Sequence, residues 1–381
     1  MAFFVAMVGT TLPTPLYPAY ALEFGFGELV TTVVFAAYAA GVVASLLAFG
    51  HWSDQLGRRP MLLAGLALSA ASAVAFLLPG ALGWLFVGRV LSGLSAGIFT
   101  GTATATVVDL APEGSRGRAS LVAAGVNMAG LGCGPLLAGV LTQYAPHPLR
   151  LCFVVDLVLV AVGVLAVVLL REPVSPTGER ELGPRRLHVP NEVRGVFARA
   201  AVAGFAGFAV LGLFTAVSPA FLGTVLHRHN AALVGVVVLV LFGASVTGQT
   251  LSTRLGLQRA LPVGCVGLIV GMVVIAAALK VPSLTLLVVG AVIAGVGQGL
   301  SFRAGLGAVT SAAPDELRGQ VTSTFFVVLY VGISLPVIGE GALAGGTSLV
   351  TAGIVFALLV AVLAAVALVL LLRGDRDRGV H

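Results

Sequence analysis

The sequence predicts an all-α polytopic membrane protein, with twelve transmembrane helices in two pseudo-symmetric six-helix bundles. Three observations carry that expectation. Charged residues make up 9% of the 381-residue chain and hydrophobic residues 58%, where a soluble domain carries roughly 25% charged residues. Apolar runs of about 20 residues, the length that crosses a hydrocarbon core as a helix, recur along the chain. A loop-and-helix motif of the first half returns in the second. In a chain of mean hydropathy +1.08, a net charge of +6 points to the anionic face of a bilayer rather than to nucleic acid.

Taken in order, Met1 leads straight into an apolar run, Ala2 to Tyr20, without the basic flank and cleavage region of a secretory signal, so the run reads as a first span. Pro13, Pro15 and Pro18 interrupt it. Proline is tolerated in a span where neighbours, hydroxyls or water take up the freed carbonyls, and Thr10, Thr11, Thr14 and Tyr17 could supply those hydroxyls. The same stripe either lines a cavity or simply packs. Eleven further spans are expected near 29–49, 61–79, 82–110, 119–142, 150–170, 197–222, 231–251, 261–279, 283–312, 321–343 and 348–372.

After the sixth span the polar stretch Arg171 to Arg194, with Pro173, Pro176, Pro184 and Pro190, has the composition of an extended linker. It divides the chain into an N-terminal bundle, 1–170, a linker, 171–194, and a C-terminal bundle with a short tail, 195–381. Charge fixes the expected orientation. Of 21 Lys and Arg, Arg150, Arg228 and Lys280 fall at one end of the spans, Arg89 and Arg303 within them, and the other 16 at the end that carries the linker. The positive-inside bias makes that end cytoplasmic, with both termini on it.

The repeat is specific. Ala111-Pro-Glu-Gly-Ser-Arg116-Gly117 returns as Ala313-Pro-Asp-Glu-Leu-Arg318-Gly319, and at the same offset of 202 residues Gly88, Gly93 and Gly97 fall on Gly290, Gly295 and Gly299. Between spans two and three lies the most polar short loop, Gly50-His-Trp-Ser-Asp54-Gln-Leu-Gly57-Arg58-Arg59-Pro60. Gly50 removes side-chain bulk where a helix could approach, and Gly57 suits a turn that needs positive φ. Asp54 is an acid at a helix end, where the positive N-terminus of a neighbouring helix would stabilise it.

These features together resemble the major facilitator superfamily, whose members are built from two six-helix halves related by a parallel repeat. The resemblance implies that Asp54 meets the start of span eleven, near Gly319 to Ser323, and that Arg58 reaches an acid at the end of span four, where Asp109 stands. Gly50, Asp54, Gly57, Arg58, Arg59 and Asp109 then read as a conformational latch; the alternative is that the charges only fix topology. The equivalent loop of the second half, Gly248 to Arg259, keeps Gly256 and Arg259 but places Thr253, Leu257 and Ser311 where Asp54, Arg58 and Asp109 would be.

Span five carries Gly130, Gly132, Gly134, Pro135, Ala138 and Gly139. Small residues four apart let helix backbones meet, and Pro135 removes a helical hydrogen bond. The run resembles the antiporter motif of the same family, with Ala138 where a second glycine is usual, and that shifts the expectation from uptake toward export. Packing alone is the other reading.

Four ionisable residues lie within spans: Arg89, Asp156, Arg303 and Glu340. Intramembrane charge is costly unless it faces a cavity or a partner, so each is a coupling or substrate candidate. Arg89 and Asp156 stand at the same depth and are expected to pair, which would let Asp156 titrate as a coupling carboxylate. Glu340 is the other acid candidate. Arg303 with Gln298 could hold an anionic group of a substrate. The chain departs from many proton-coupled drug exporters of the family in having no acid within span one.

The expected function is a secondary transporter working by alternating access, driven by a proton gradient without a bound cofactor and exporting small amphipathic molecules. A sugar, amino-acid or organic-anion carrier and a transporter-like sensor are the alternatives, although the intact Asp54, Arg58 and Asp109 count against a sensor. No Gly-Lys-Ser/Thr follows a strand, which argues against an ATP-driven pump. No clustered nucleophile, base or metal set suggests an enzyme or a metal site: His227 and His229 lack a third ligand, and Cys133, Cys152 and Cys265 lie far apart in apolar runs and read as packing. The expected partners are the bilayer, a small-molecule substrate and protons, the expected form a monomer, and the expected location a bacterial plasma membrane.

Overall fold

The structure, a computed structural model, describes residues 1–49, 52–78, 80–112, 114–172 and 187–376, with side chains to residue 373. The described residues form fifteen α-helices and no strand. Eleven helices are long and apolar enough to cross a membrane. They are α3 (Glu28–Phe49), α5 (Arg58–Leu77), α6 (Leu82–Asp109), α7 (Arg116–Tyr144), α8 (Leu151–Val168), α9 (Arg194–Ala216), α11 (Ala231–Leu255), α12 (Leu257–Lys280), α13 (Leu284–Ala312), α14 (Arg318–Gly346) and α15 (Leu349–Arg376). The twelfth crossing is made of two pieces, α1 (Ala2–Thr11) and α2 (Tyr17–Phe24). With the 3-10 turn between them they cover 23 residues, about 34 Å at 1.5 Å per residue. Short helices α4 (Trp52–Leu56) and α10 (Ser218–Thr224) complete the set.

Two compact units contain these helices. The first holds residues 1–26, 33–186 and 230–239, and the second 27–32, 187–229 and 240–381. Within each, the same glycine positions do the same work. A Cβ at Gly93 would strike the carbonyl of Tyr38, and one at Gly97 the side chain of Ser45, both on α3. In the second unit a Cβ at Gly295 would strike the carbonyl of Leu241, and one at Gly299 that of Ser245, both on α11. The 202-residue repeat is therefore a repeat of close backbone approach, of the kind that membrane helices use in place of a hydrophobic drive.

Two predicted elements differ in detail. Span seven, expected to run unbroken to 222, stops at Ala216 and restarts as α10, because Pro219 has no N–H to give the carbonyl of the preceding turn. The loop before span three is shorter than expected. Trp52–Leu56 forms a helical turn and α5 begins at Arg58 rather than 61, since Pro60 falls in the first turn, where a missing N–H costs nothing. Gly50 and linker residues 173–186, both singled out by sequence, lie outside the described residues.

Candidate functional site

The loop ahead of α5 turns at Gly57, whose φ of 97° and ψ of 158° lie where only glycine rests without strain. That turn aims Arg58 back over α4 and across to α6. The Arg58 guanidinium donates from Nη1 to Asp54 Oδ1 at 2.6 Å and to Ser53 Oγ at 2.7 Å, and from Nε to Asp109 Oδ2 at 3.0 Å. Its side chain is 10% exposed, against 59% for Asp54 and 32% for Asp109. The sheltered group is thus the cation, with its acids on the wetter side. Removing either acid leaves Arg58 part-compensated; removing Arg58 leaves two acids facing each other.

Sequence reasoning missed one member of the cluster. Glu172, assigned to the linker, accepts the backbone N–H of Arg58 at 2.7 Å and of Arg59 at 2.9 Å. These are orphan donors of the first turn of α5, where Gly57 offers no capping side chain, and a carboxylate there also meets the positive end of the helix dipole. Arg59 joins the site through this N–H. A signal was present: a helix start with no Ser, Thr, Asp or Asn cap, and an acid two residues beyond a span that returns to the same end.

A second seam joins α1 to α7. Gly130 and Gly134 lie against α1, where added Cβ atoms would strike Met7 and the carbonyl of Val8. Pro135 cannot bond the carbonyl of Leu131 four residues earlier, and Thr11 Oγ1 donates to that carbonyl at 2.8 Å. Gly139 lies against Ala231, and the carbonyl of Pro135 against Gly235, so α7 is held closely on two sides within the first unit. Neither Thr10 nor Thr11 therefore gives its hydroxyl to a carbonyl freed by the prolines of span one. Thr11 serves α7, and Thr10 Oγ1 bonds the carbonyl of Met7 inside α1.

Arg89 takes a carbonyl at the end of α1. It is 2% exposed, its Nη1 donates to the Thr10 carbonyl at 2.6 Å, and its guanidinium lies 4.7 Å from the Tyr38 ring centre and 5.5 Å from that of Phe35. Thr10 sits in the last turn of α1, whose carbonyls have no helical donor. The expected ion pair of Arg89 with Asp156 is absent. Asp156, 3% exposed, sits on α8 beside Gly9 and Ser69, and its Oδ1 has no hydrogen-bond partner. Equal depth did not bring the two together, because they leave their helices in different directions.

Gln298 and Arg303 also part. Gln298 is fully buried and accepts from Ser245 Oγ at 2.5 Å, whereas Arg303 is only half-buried. Five residues along a helix of 3.6 per turn place them on different faces, so they do not form one anion site. Glu340 on α14 is 3% exposed with neither carboxylate oxygen partnered.

The family model described as Major Facilitator Superfamily matches residues 1–337. The chain belongs to the major facilitator superfamily. It is 31% identical over 330 residues to the class G tetracycline resistance protein of Vibrio anguillarum, covering 82% of this chain and 80% of that protein. To the class D tetracycline resistance protein of Salmonella ordonez it is 34% identical over 149 residues, 36% of that protein's length. Solved structures share the fold at low identity. A bacterial homolog of the human lysosomal transporter Spinster, in an inward-facing and unoccupied conformation, matches with a TM-score of 0.74 at 18% identity, covering 98% of this chain and 96% of that one. A POT family transporter in complex with a thioalcohol-conjugated peptide matches with a TM-score of 0.78 at 15% identity, covering 97% and 94%. A member of this superfamily is a multi-pass membrane protein, for which a bilayer follows.

Proposed function

We propose that the protein is a secondary active transporter that works by alternating access and exports small amphipathic, drug-like molecules in exchange for protons, with no bound cofactor. The observation that carries the reading is Asp156. A buried carboxylate with an unpartnered oxygen, 3% exposed among spans, is expensive to keep unless it gains and loses a proton or a ligand. Its environment of Gly9 and Ser69 leaves the charge uncompensated. The tetracycline resistance proteins to which the chain is similar support export of drug-like substrates.

In this reading Gly50, Asp54, Gly57, Arg58, Arg59 and Asp109 act as a conformational latch, which Glu172 positions by holding the first turn of α5. The protein works as a monomer in the plasma membrane with the latch loop and both termini in the cytoplasm. The test is proton flux in proteoliposomes, with lumenal pH recorded while lipophilic cations, neutral drugs, sugars and organic anions are added. Substrate-triggered proton movement that disappears in Asp156→Asn is the expected result. Movement that persists in Asp156→Asn would transfer coupling to another carboxylate, and silence across the panel would remove the export reading.

A further inference from the structure

At the far end of α5 from the Gly57 turn, the first unit contains a cavity lined by one acid and one base that do not pair. It offers about 140 Å³, room for about ten waters, and its wall includes Tyr20, Glu23, Phe24, Phe76, Trp84 and Arg150. Glu23 and Arg150 are exposed, and among the described residues neither is in an ion pair. Tyr20 is 4% exposed, yet its hydroxyl has no hydrogen-bond partner, a costly omission for a buried O–H. Helix α6 starts in the same wall. Ala81 is its N-cap and no side chain caps that start, which leaves first-turn N–H groups without a helical acceptor.

We propose that this cavity binds a phosphoethanolamine group, with a membrane lipid as its source. Glu23 takes the ammonium; Arg150, the Tyr20 hydroxyl and the start of α6 take the phosphate. An anion alone would bring its charge beside Glu23, and a cation alone would bring its charge beside Arg150. A zwitterion meets both. The guanidinium of Arg150 matches phosphate oxygens with its fork of donors, and the positive end of α6 favours the same charge. The mouth of the cavity selects the source. Leu78 and Trp84 both line it and stand 41% and 40% exposed, so an acyl chain leaving the cavity meets apolar surface, which a soluble zwitterion would leave bare. A tryptophan at the end of a span also belongs at the depth of lipid headgroups. Such binding needs only that the chain sits in a bilayer, and it holds whether or not protons drive transport.

The experiment titrates the purified, delipidated full-length chain in detergent with dipalmitoyl phosphatidylethanolamine or dipalmitoyl phosphatidylglycerol, and native mass spectrometry counts the bound lipid. The wild-type chain should bind the ethanolamine lipid at least about fivefold more tightly than the glycerol lipid, the scale of a charge-assisted hydrogen bond gained. Glu23→Gln should abolish that preference, and Arg150→Gln should weaken binding of both lipids. Soluble glycerophosphoethanolamine should displace the lipid only at concentrations more than about a hundredfold higher, because it lacks the apolar chains. Equal binding of the two lipids by the wild-type chain, or a preference untouched in both variants, overturns the site. Displacement by glycerophosphoethanolamine at the lipid's own concentration overturns the lipid as the source. If a variant does not purify as folded protein, the wild-type chain decides through carbodiimide coupling: an amide between the lipid amine and Glu23, located by mass spectrometry, supports the site, and coupling that spares Glu23 overturns it.

Discussion

Gly57 and Gly256 open repeat-related helices with nearly the same backbone, φ 97° and ψ 158° before α5, φ 76° and ψ 157° before α12. Their surroundings differ. Around Gly57, Arg58 is tied to Asp54 and Asp109 while Glu172 holds the helix start. After Gly256 comes Leu257, which lies against Gly307 of α13, and the Thr253 hydroxyl bonds the carbonyl of Thr250. The second unit makes the turn and the helix start without any of the charges. Forming the turn is therefore not what the charges around Gly57 are for, and the proposed latch and the fixing of topology are the readings that the contrast leaves.

The comparison can be broken most directly at Arg58. Arg58→Leu copies the second unit into the first and strands Asp54 and Asp109. Substrate flux in proteoliposomes should fall by more than about tenfold, an effect of roughly 1.4 kcal/mol or more on the rate-limiting step, while Leu257→Arg in the second unit should change flux less than about twofold. Equal effects at both positions would dissolve the contrast.

The glycines sharpen it next. Gly57→Ala and Gly256→Ala each force a Cβ into positive φ, at about 1–2 kcal/mol, so thermal melts should move by similar amounts. Flux should drop further for Gly57→Ala, because its Cβ would also stand 2.9 Å from Glu172 Oε2, whereas nothing lies within 4 Å of a Cβ at Gly256. A larger melting shift at Gly256 would contradict this.

Thr11→Val tests the seam on α7. It strips the carbonyl of Leu131 of the donor that replaces the Pro135 N–H, and about 1–3 kcal/mol of stability should be lost for a buried acceptor left unmade. Thr215→Val in the second unit, where the hydroxyl bonds its own helix at 2.7 Å, should cost less. The smallest effect belongs to Glu172→Gln, which keeps the shape but loses the charge at the start of α5. A loss of about 0.3–1 kcal/mol is expected at low salt, shrinking toward zero as ionic strength rises; a salt-independent loss would mean that shape rather than charge holds the helix.

The fold class and nearly every span were readable because hydropathy, proline and glycine act locally. Span edges moved by a few residues, and the break at Val217 was there to be read in Pro219. The residues around Arg58 could be named from the loop and the family resemblance; the ion pair of Arg58 with Asp109 follows that expectation, whereas its pair with Asp54 was not foreseen. Glu172 was missed, since its partners are backbone N–H groups more than a hundred residues away in sequence and only the uncapped start of α5 hinted at it.

What the sequence alone determined is position along each helix. A rise of about 1.5 Å per residue turns residue number into depth, and hydropathy decides which segments enter the bilayer. What only the tertiary structure decided is direction around each helix. Arg89 and Asp156 share a depth, yet Arg89 turns to the broken end of α1 and the rings of Tyr38 and Phe35, while Asp156 turns to Gly9 and Ser69. In a bundle whose helices are apolar on every side, which residues of one helix meet which of the next is settled by where small residues let backbones approach and where a proline leaves a carbonyl to be filled.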